Sequence, residues 1–209
     1  KNAEYFADAV MAVQEMINRG WIMACHDISA GGLITTLLEM CFANAKGGMH
    51  INLHDICADG DVVKTLFAEN PGVVIEVSDE YKQEFKDFME EQGVGYAKIG
   101  YPVETSRSIV VKAGDKELTF DIDALRDTWY KTSYLLDCKQ SFNGKAKERF
   151  ENYKKQPIEM QFNKDFTGKL AQYGISADRR QASGVKAAII REKGTNGERE
   201  MAYCLYLDS

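Results

Sequence analysis

Cys25-His26-Asp27-Ile28-Ser29-Ala30-Gly31-Gly32-Leu33 is the stretch that decides how this chain folds. A short apolar run, Trp21 to Ala24, leads into it, and an amphipathic run, Leu33 to Phe42, leads out. That order reads as strand, glycine-rich turn, helix. The strand is expected over 21–25 and the helix from Gly31 to about Ala43. Leu33, Leu37, Leu38, Cys41 and Phe42 fall on the helix's buried face, with Glu39 near the edge of it. A turn of this kind presents backbone N–H groups without helical partners at the positive end of a helix dipole, which suits a phosphate. Asp27 and Ser29 lie inside the expected turn, and an acid beside a hydroxyl is able to hold Mg²⁺ and a phosphate oxygen together. The same spacing also has a purely structural reading. In that reading Asp27 or Ser29 caps the helix, and Gly31 and Gly32 allow close packing.

Composition narrows the class. The chain has 209 residues, room for one full domain and part of another. Its net charge is −6, with no Lys/Arg stripe and no aromatic–basic interleaving, which argues against a nucleic-acid partner. The apolar runs are far shorter than a membrane span and nothing resembles a signal peptide, so no membrane is expected. Lys1 opens inside what already reads as a helix, as expected of a piece of a longer chain. Cys25, Cys41, Cys57, Cys138 and Cys204 are scattered without a C-x-x-C pair, which points to a reducing cytoplasm rather than a disulfide framework or zinc site. Cys25 has no base placed for it and is not read as a nucleophile. His50 and His54 read as structural or solvated.

Outward from the turn, residues 2–19 have helical spacing, with Tyr5, Phe6, Ala9, Val10, Val13, Met16 and Ile17 on one face. Strands are expected at 49–53, 73–77, 96–103, 108–112 and 117–121. Helices are expected at 61–67, from Ser78 to Gln92, and at 122–137. The fold class is therefore α+β, with helices packed on a mixed sheet, and the first domain is placed at 1–138. Residues 139–183 read as a helical and coil linker, including a charged, exposed helix at 145–155. A fresh strand is expected at 185–190, followed by a loop and a helix from near Glu198, so 184–209 reads as the start of a second domain.

These residues resemble a known family. His26-Asp27-Ile28-Ser29-Ala30-Gly31-Gly32-Leu33, continued by Leu38-Glu39-Met40-Cys41-Phe42-Ala43, closely resembles the second aminoimidazole-ribotide-synthase-like C-terminal domain of the phosphoribosylformylglycinamidine synthases. Thr128-Trp129, Tyr134 and Leu135 look like that family's helix after the domain. Ala188 to Ala202 looks like the opening of its class I glutaminase domain, whose catalytic machinery would lie beyond Ser209. The resemblance implies an ATP- and glutamine-dependent ligase of purine biosynthesis that converts formylglycinamide ribotide to formylglycinamidine ribotide. It assigns Asp27 to Mg²⁺ and Ser29 to nucleotide; the Gly31 and Gly32 amides are expected to meet phosphate from the turn alone. The site it implies is an auxiliary one that holds ADP structurally. No catalytic residue falls on this stretch, and Cys204, in a helix, is not the glutaminase nucleophile. His26 is expected to orient the turn by a hydrogen bond. The implied partners are the remaining domains of the same chain. Two other readings stand beside this one: a sibling such as aminoimidazole ribotide synthase, and a packing domain that binds nothing.

Overall fold

In the computed structural model, residues 2–155, 160–175 and 184–208 are described. They divide into two compact units, Lys1–Gln156 and Pro157–Ser209. The first begins with helix α1, Ala3–Asn18, capped by the Asn2 side chain, which accepts the amides of Glu4 and Tyr5. Strand β1, Ile22–Ile28, then pairs antiparallel with β3, Gly72–Val77, as a two-stranded ribbon. Asp27 lies opposite Val73 and Ile28 opposite Gly72. The strand therefore runs past residue 25, where the sequence pattern ends it, because β3 supplies a partner backbone up to residue 28. His26 and Asp27 belong to the strand, and only Ser29–Gly31 turn.

Helix α2, Gly32–Phe42, packs against β1, against the short helix α3, Val62–Phe67, and against the long helix α5, Ile122–Gln140. Helix α4, Lys82–Glu91, follows β3 after a tight turn that Ser78 opens. A second sheet holds β2, Gly48–Asn52, β4, Gly100–Val103, β5, Ser108–Ala113, and β6, Lys116–Asp121, in the order β4-β2-β5-β6. Its β2–β5 pair is parallel and the other two are antiparallel, so the sheet is mixed and the unit is α+β, as expected.

The apolar positions collect in two cores. The first gathers Leu33, Ile34, Leu37, Leu38 and Cys41 of α2 over Ile51, Ile109 and Val111 of the mixed sheet, closed by Leu66 and Ile122. The second sets Ala12 and Met16 of α1 against Phe88 and Met89 of α4. The β1–β3 ribbon serves both, since Ile28 and Val74 pack on the first core and Ile22 and Ile75 on the second. Helix α1 has the expected period but not the expected coverage. Tyr5, Phe6, Val10 and Ile17 remain exposed, because the second core takes only Ala9, Ala12, Val13 and Met16.

The residues that follow 138, up to Gln156, stay with the first unit. Helix α6, Lys145–Glu151, folds back on α5: Phe150 stacks on Tyr134 with ring centroids 4.6 Å apart, and Arg149 makes paired hydrogen bonds to Asp137 at 2.9 and 2.7 Å. The buried Arg126 guanidinium lies 3.8 Å from the Tyr153 ring centre and donates to the Phe150 carbonyl at 3.0 Å. Compactness thus ends at Gln156 rather than at the boundary expected at 138, and the charged helix at 145–151 is packed rather than linking.

The second unit contains a Phe162–Phe166 stack, one 3-10 turn over Leu170–Tyr173, and helix α7, Glu198–Asp208. The helix expected from Glu198 is present. The strand expected at 185–190 is not: these residues carry neither helix nor strand. The linker reading of 139–183 falls partly on 156–159 and 176–183, outside the described residues. Among those described, no helix is long and apolar enough to cross a membrane.

Candidate functional site

The site grows from the alternation of β1. Met23, Cys25 and Asp27 point to the exposed side of the strand, while His26 and Ile28 are half-buried. The Asp27 carboxylate is 73% exposed, yet its backbone is held from two directions. Its carbonyl accepts His26 Nδ1–H at 2.8 Å and the Thr36 hydroxyl at 3.0 Å. His26 thus hydrogen-bonds the motif backbone, as its place in the motif implies, and its Nδ1 also lies 3.5 Å from Asp27 Oδ1. The other ring nitrogen, Nε2, faces Glu39 Oε2 at 3.2 Å. Glu39 Oε1 in turn accepts the Trp129 indole N–H at 2.8 Å. Helices α2 and α5 are thus joined by the Glu39–Trp129 hydrogen bond, with the His26 ring of β1 beside it.

The start of α2 decides between the readings of the glycines. Its N-cap is Gly31, in left-handed backbone at φ +83°, and no side chain caps the helix. The structural reading in which Asp27 or Ser29 caps the helix is therefore corrected: β1 keeps Asp27 in the strand, and Ser29 supplies a backbone carbonyl, which accepts Gly32 N–H at 3.1 Å. Gly31 N–H instead donates to a carboxylate just after α3, Glu69 Oε1, at 2.9 Å. Close packing does account for Gly32. A Cβ there would stand 2.7 Å from the Phe67 carbonyl carbon and 2.8 Å from the Leu66 oxygen, where α3 abuts α2. Both amides expected to meet phosphate are engaged within the protein, and a phosphate at Gly31 would have to displace Glu69.

A cleft of about 550 Å³ opens between α2 and α5, lined among others by His26, Glu39, Phe42, Arg126, Trp129 and Tyr153. Asp27 and Ser29 do not line it. Among the described residues, no group of three or more His, Cys, Asp or Glu side chains is arranged to hold a metal ion. Asp27 therefore offers a single hard oxygen ligand, and any Mg²⁺ here must complete its shell with phosphate oxygens, water or groups from elsewhere. Cys25 is exposed on β1 and Cys204 lies in α7, each a free thiol.

Three participants escaped the sequence reading. Glu69 lies 38 residues from Gly31, with nothing local to signal the contact. Glu39 stood at the edge of an apolar face and in a family motif, with no role assigned. Trp129 stood in a family motif but carried no assigned role.

Residues 2–113 match the family described as AIR synthase related protein, C-terminal domain. Among curated proteins, phosphoribosylformylglycinamidine synthase of Dictyostelium discoideum is 29% identical over 219 residues, covering 96% of this chain and 16% of that protein. The probable phosphoribosylformylglycinamidine synthase, chloroplastic/mitochondrial, of Arabidopsis thaliana is 32% identical over 206 residues, covering 97% of this chain and 14% of that protein. Among solved structures, T. maritima PurL complexed with FGAR overlays 57% of this chain and 20% of its own with a TM-score of 0.50 at 16% identity, a likeness of fold. The chain spans no more than 16% of the length of these curated relatives.

Proposed function

The chain belongs to the AIR synthase related protein family through its C-terminal-domain module, and on that footing we propose that it is part of a phosphoribosylformylglycinamidine synthase, where it contributes to a Mg–nucleotide site. The whole enzyme would be the ATP- and glutamine-dependent ligase that turns formylglycinamide ribotide into formylglycinamidine ribotide in the cytoplasm. Relatives of that name align with this chain well beyond the matched domain, which favours this enzyme over an aminoimidazole ribotide synthase. No catalytic residue is assigned here.

The observation that carries the site is Asp27. It is an exposed carboxylate on a backbone fixed by His26 and Thr36, with no capping duty to perform. Such a group suits Mg²⁺, a hard cation that keeps several ligands from water and phosphate. When bound, Mg²⁺ neutralises phosphate charge. Asp27 is its ligand on this chain, and Ser29 with the Gly31 and Gly32 amides takes the nucleotide's phosphates. The nucleotide held is ADP, retained structurally, and the remaining domains of the protein complete the site.

A second reading, a domain that only packs, draws support from Gly32 against α3 and from the Gly31 amide taken up by Glu69. The two separate on nucleotide content. The full-length protein is purified and denatured, and the ADP released is quantified for wild type and Asp27→Asn. ADP carried by the wild type and lost in the variant is the expected result. Equal ADP in both leaves Asp27 without a ligand role, and ADP in neither leaves the packing reading. The 209 residues alone are expected to show no ammonia-dependent ATP turnover.

A further inference from the structure

We infer that the cleft between α2 and α5 binds a small carboxylic acid with a flat, apolar body, gripped by the edge of the Arg126 guanidinium. The site is separate from the proposed nucleotide site and does not depend on it, since Asp27 and Ser29 do not line this cleft.

Arg126 is only 7% exposed and is surrounded by aromatic rings. The ring centres of Tyr153, Tyr130 and Phe150 lie 3.8, 4.8 and 5.2 Å from its guanidinium carbon. Nη1 is occupied, donating to the Phe150 carbonyl at 3.0 Å and to Asp127 Oδ1 at 3.1 Å. Nε and Nη2 have no acceptor among the described residues. Neither is sealed in the interior, because the buried side-chain nitrogen left without a hydrogen bond among those residues belongs to Arg107. Both therefore meet solvent, and Arg126 is part of the cleft wall. Two N–H groups side by side on one edge of a planar guanidinium form the fork that takes both oxygens of a carboxylate. The rings and the Nη1 bonds already hold this side chain, so little rotamer freedom remains to be lost on binding.

The rest of the wall sets the body of the ligand. At about 550 Å³ the cleft has the size of a small-molecule site, and Phe42, Trp129, Tyr130 and Tyr153 give it aromatic sides. Trp129 lies one turn beyond Arg126 on α5. Its indole is half-exposed, seated on Phe42 with centroids 5.2 Å apart and fixed by its N–H on Glu39 Oε1 at 2.8 Å. A flat group that starts at the fork and runs along α5 covers this ring and buries it. Charge then limits the head group. Asp127 already sits on Nη1, and the Glu39 carboxylate stands in the same wall. A phosphate dianion would be repelled by both, whereas a monocarboxylate puts one charge on the fork and an apolar end toward Glu39.

The test uses 4-fluorophenylacetate as the probe, titrated into the full-length protein and followed by fluorine NMR, with the uncharged 4-fluorophenylacetamide beside it. Arg126→Lys keeps the positive charge and removes the fork. Trp129→Leu removes the flat wall. Thermal unfolding is followed on each variant. The acid is expected to bind saturably, and the amide about tenfold more weakly, the size of one charge-assisted hydrogen bond. Arg126→Lys is expected to weaken the acid about tenfold and leave the amide unchanged, while Trp129→Leu weakens both several-fold. No saturable binding of the acid overturns the inference, as does wild-type affinity for it in Arg126→Lys. Inorganic phosphate that displaces the probe as readily as unlabelled phenylacetate does overturns the assignment to carboxylates. If Arg126→Lys does not fold, Trp129→Leu, altered at a half-exposed side chain, and the pair of probes carry the test. Wild-type affinity in Trp129→Leu, or equal affinity for acid and amide, then overturns the inference.

Discussion

Asp27, Gly32 and Glu69 show how differently neighbouring residues of one motif are employed. The exposed Asp27 side chain caps nothing, so Asp27→Asn is expected to change stability by less than about 0.5 kcal/mol in urea denaturation. A loss near 1 kcal/mol or more would mean that it does cap or brace the turn. Gly32 is the opposite case. Gly32→Ala meets a left-handed backbone at φ +70° as well as the α3 main chain, and its expected cost is about 2 to 4 kcal/mol by the same measurement. Glu69 is a carboxylate standing where a phosphate is proposed to come. Removing its charge in Glu69→Gln is expected to raise Mg–ADP affinity several-fold by calorimetry on the full-length protein. Unchanged affinity would place the phosphates away from Gly31.

Among the elements, the turn after α6 is the one whose attachment depends on charge. Asp123, near the start of α5, accepts Arg107 Nε–H at 3.0 Å, the Tyr153 hydroxyl at 2.5 Å and the Lys154 ammonium. Arg107 spreads further, donating to the Cys41 carbonyl at 3.1 Å and the Gly47 carbonyl at 3.3 Å, so Asp123 also anchors the end of α2 and the entry to β2. Burial by itself raises the Asp123 pKa, but the hydrogen bonds from Lys154, Tyr153 and Arg107 outweigh it and bring the carboxyl from 3.8 down to about 2. A carboxyl held below its unfolded value stabilises the fold fully above that value and loses its effect as pH falls through the folded one. The Asp123 contribution, about 2 kcal/mol, is therefore expected to be complete above roughly pH 5 and to disappear between there and pH 2. Asp123→Asn should flatten that part of the stability–pH curve. A curve identical to wild type would show that the three donors do not hold Asp123 in solution.

For the molecule as a whole, the first compact unit runs to Gln156, past the boundary expected at 138. A chain ending at residue 156 keeps α6 and Tyr153 over Arg126, and its thermal transition is expected to match that of the first unit in the intact chain. A chain ending at 138 uncovers Arg126, Tyr130 and Tyr134 and leaves Asp123 with only Arg107. Its midpoint is expected to fall by about 2 to 4 °C or more, the shift that roughly 1 kcal/mol or more produces in a domain of this size. Equal midpoints for the two truncations would mean that α6 contributes nothing to the unit.

Much of this protein was legible along the chain because the signals are local. Helical period and the Gly31-Gly32 punctuation each depend on residues a few positions apart, and many of the elements and the α+β class followed from such signals. The candidate ligand Asp27 was also visible, as an acid beside a glycine-rich helix start. Contacts that close over long separations were not. The strand at His26–Ile28 exists because β3 lies beside it, whereas the apolar run at 185–190 carries no strand. Glu69 reaches Gly31 across 38 residues, and Trp129 reaches Glu39 across 90. Period and propensity describe what a residue does to its own segment, whereas strand pairing and the Glu69–Gly31 and Trp129–Glu39 hydrogen bonds come from packing the segments together.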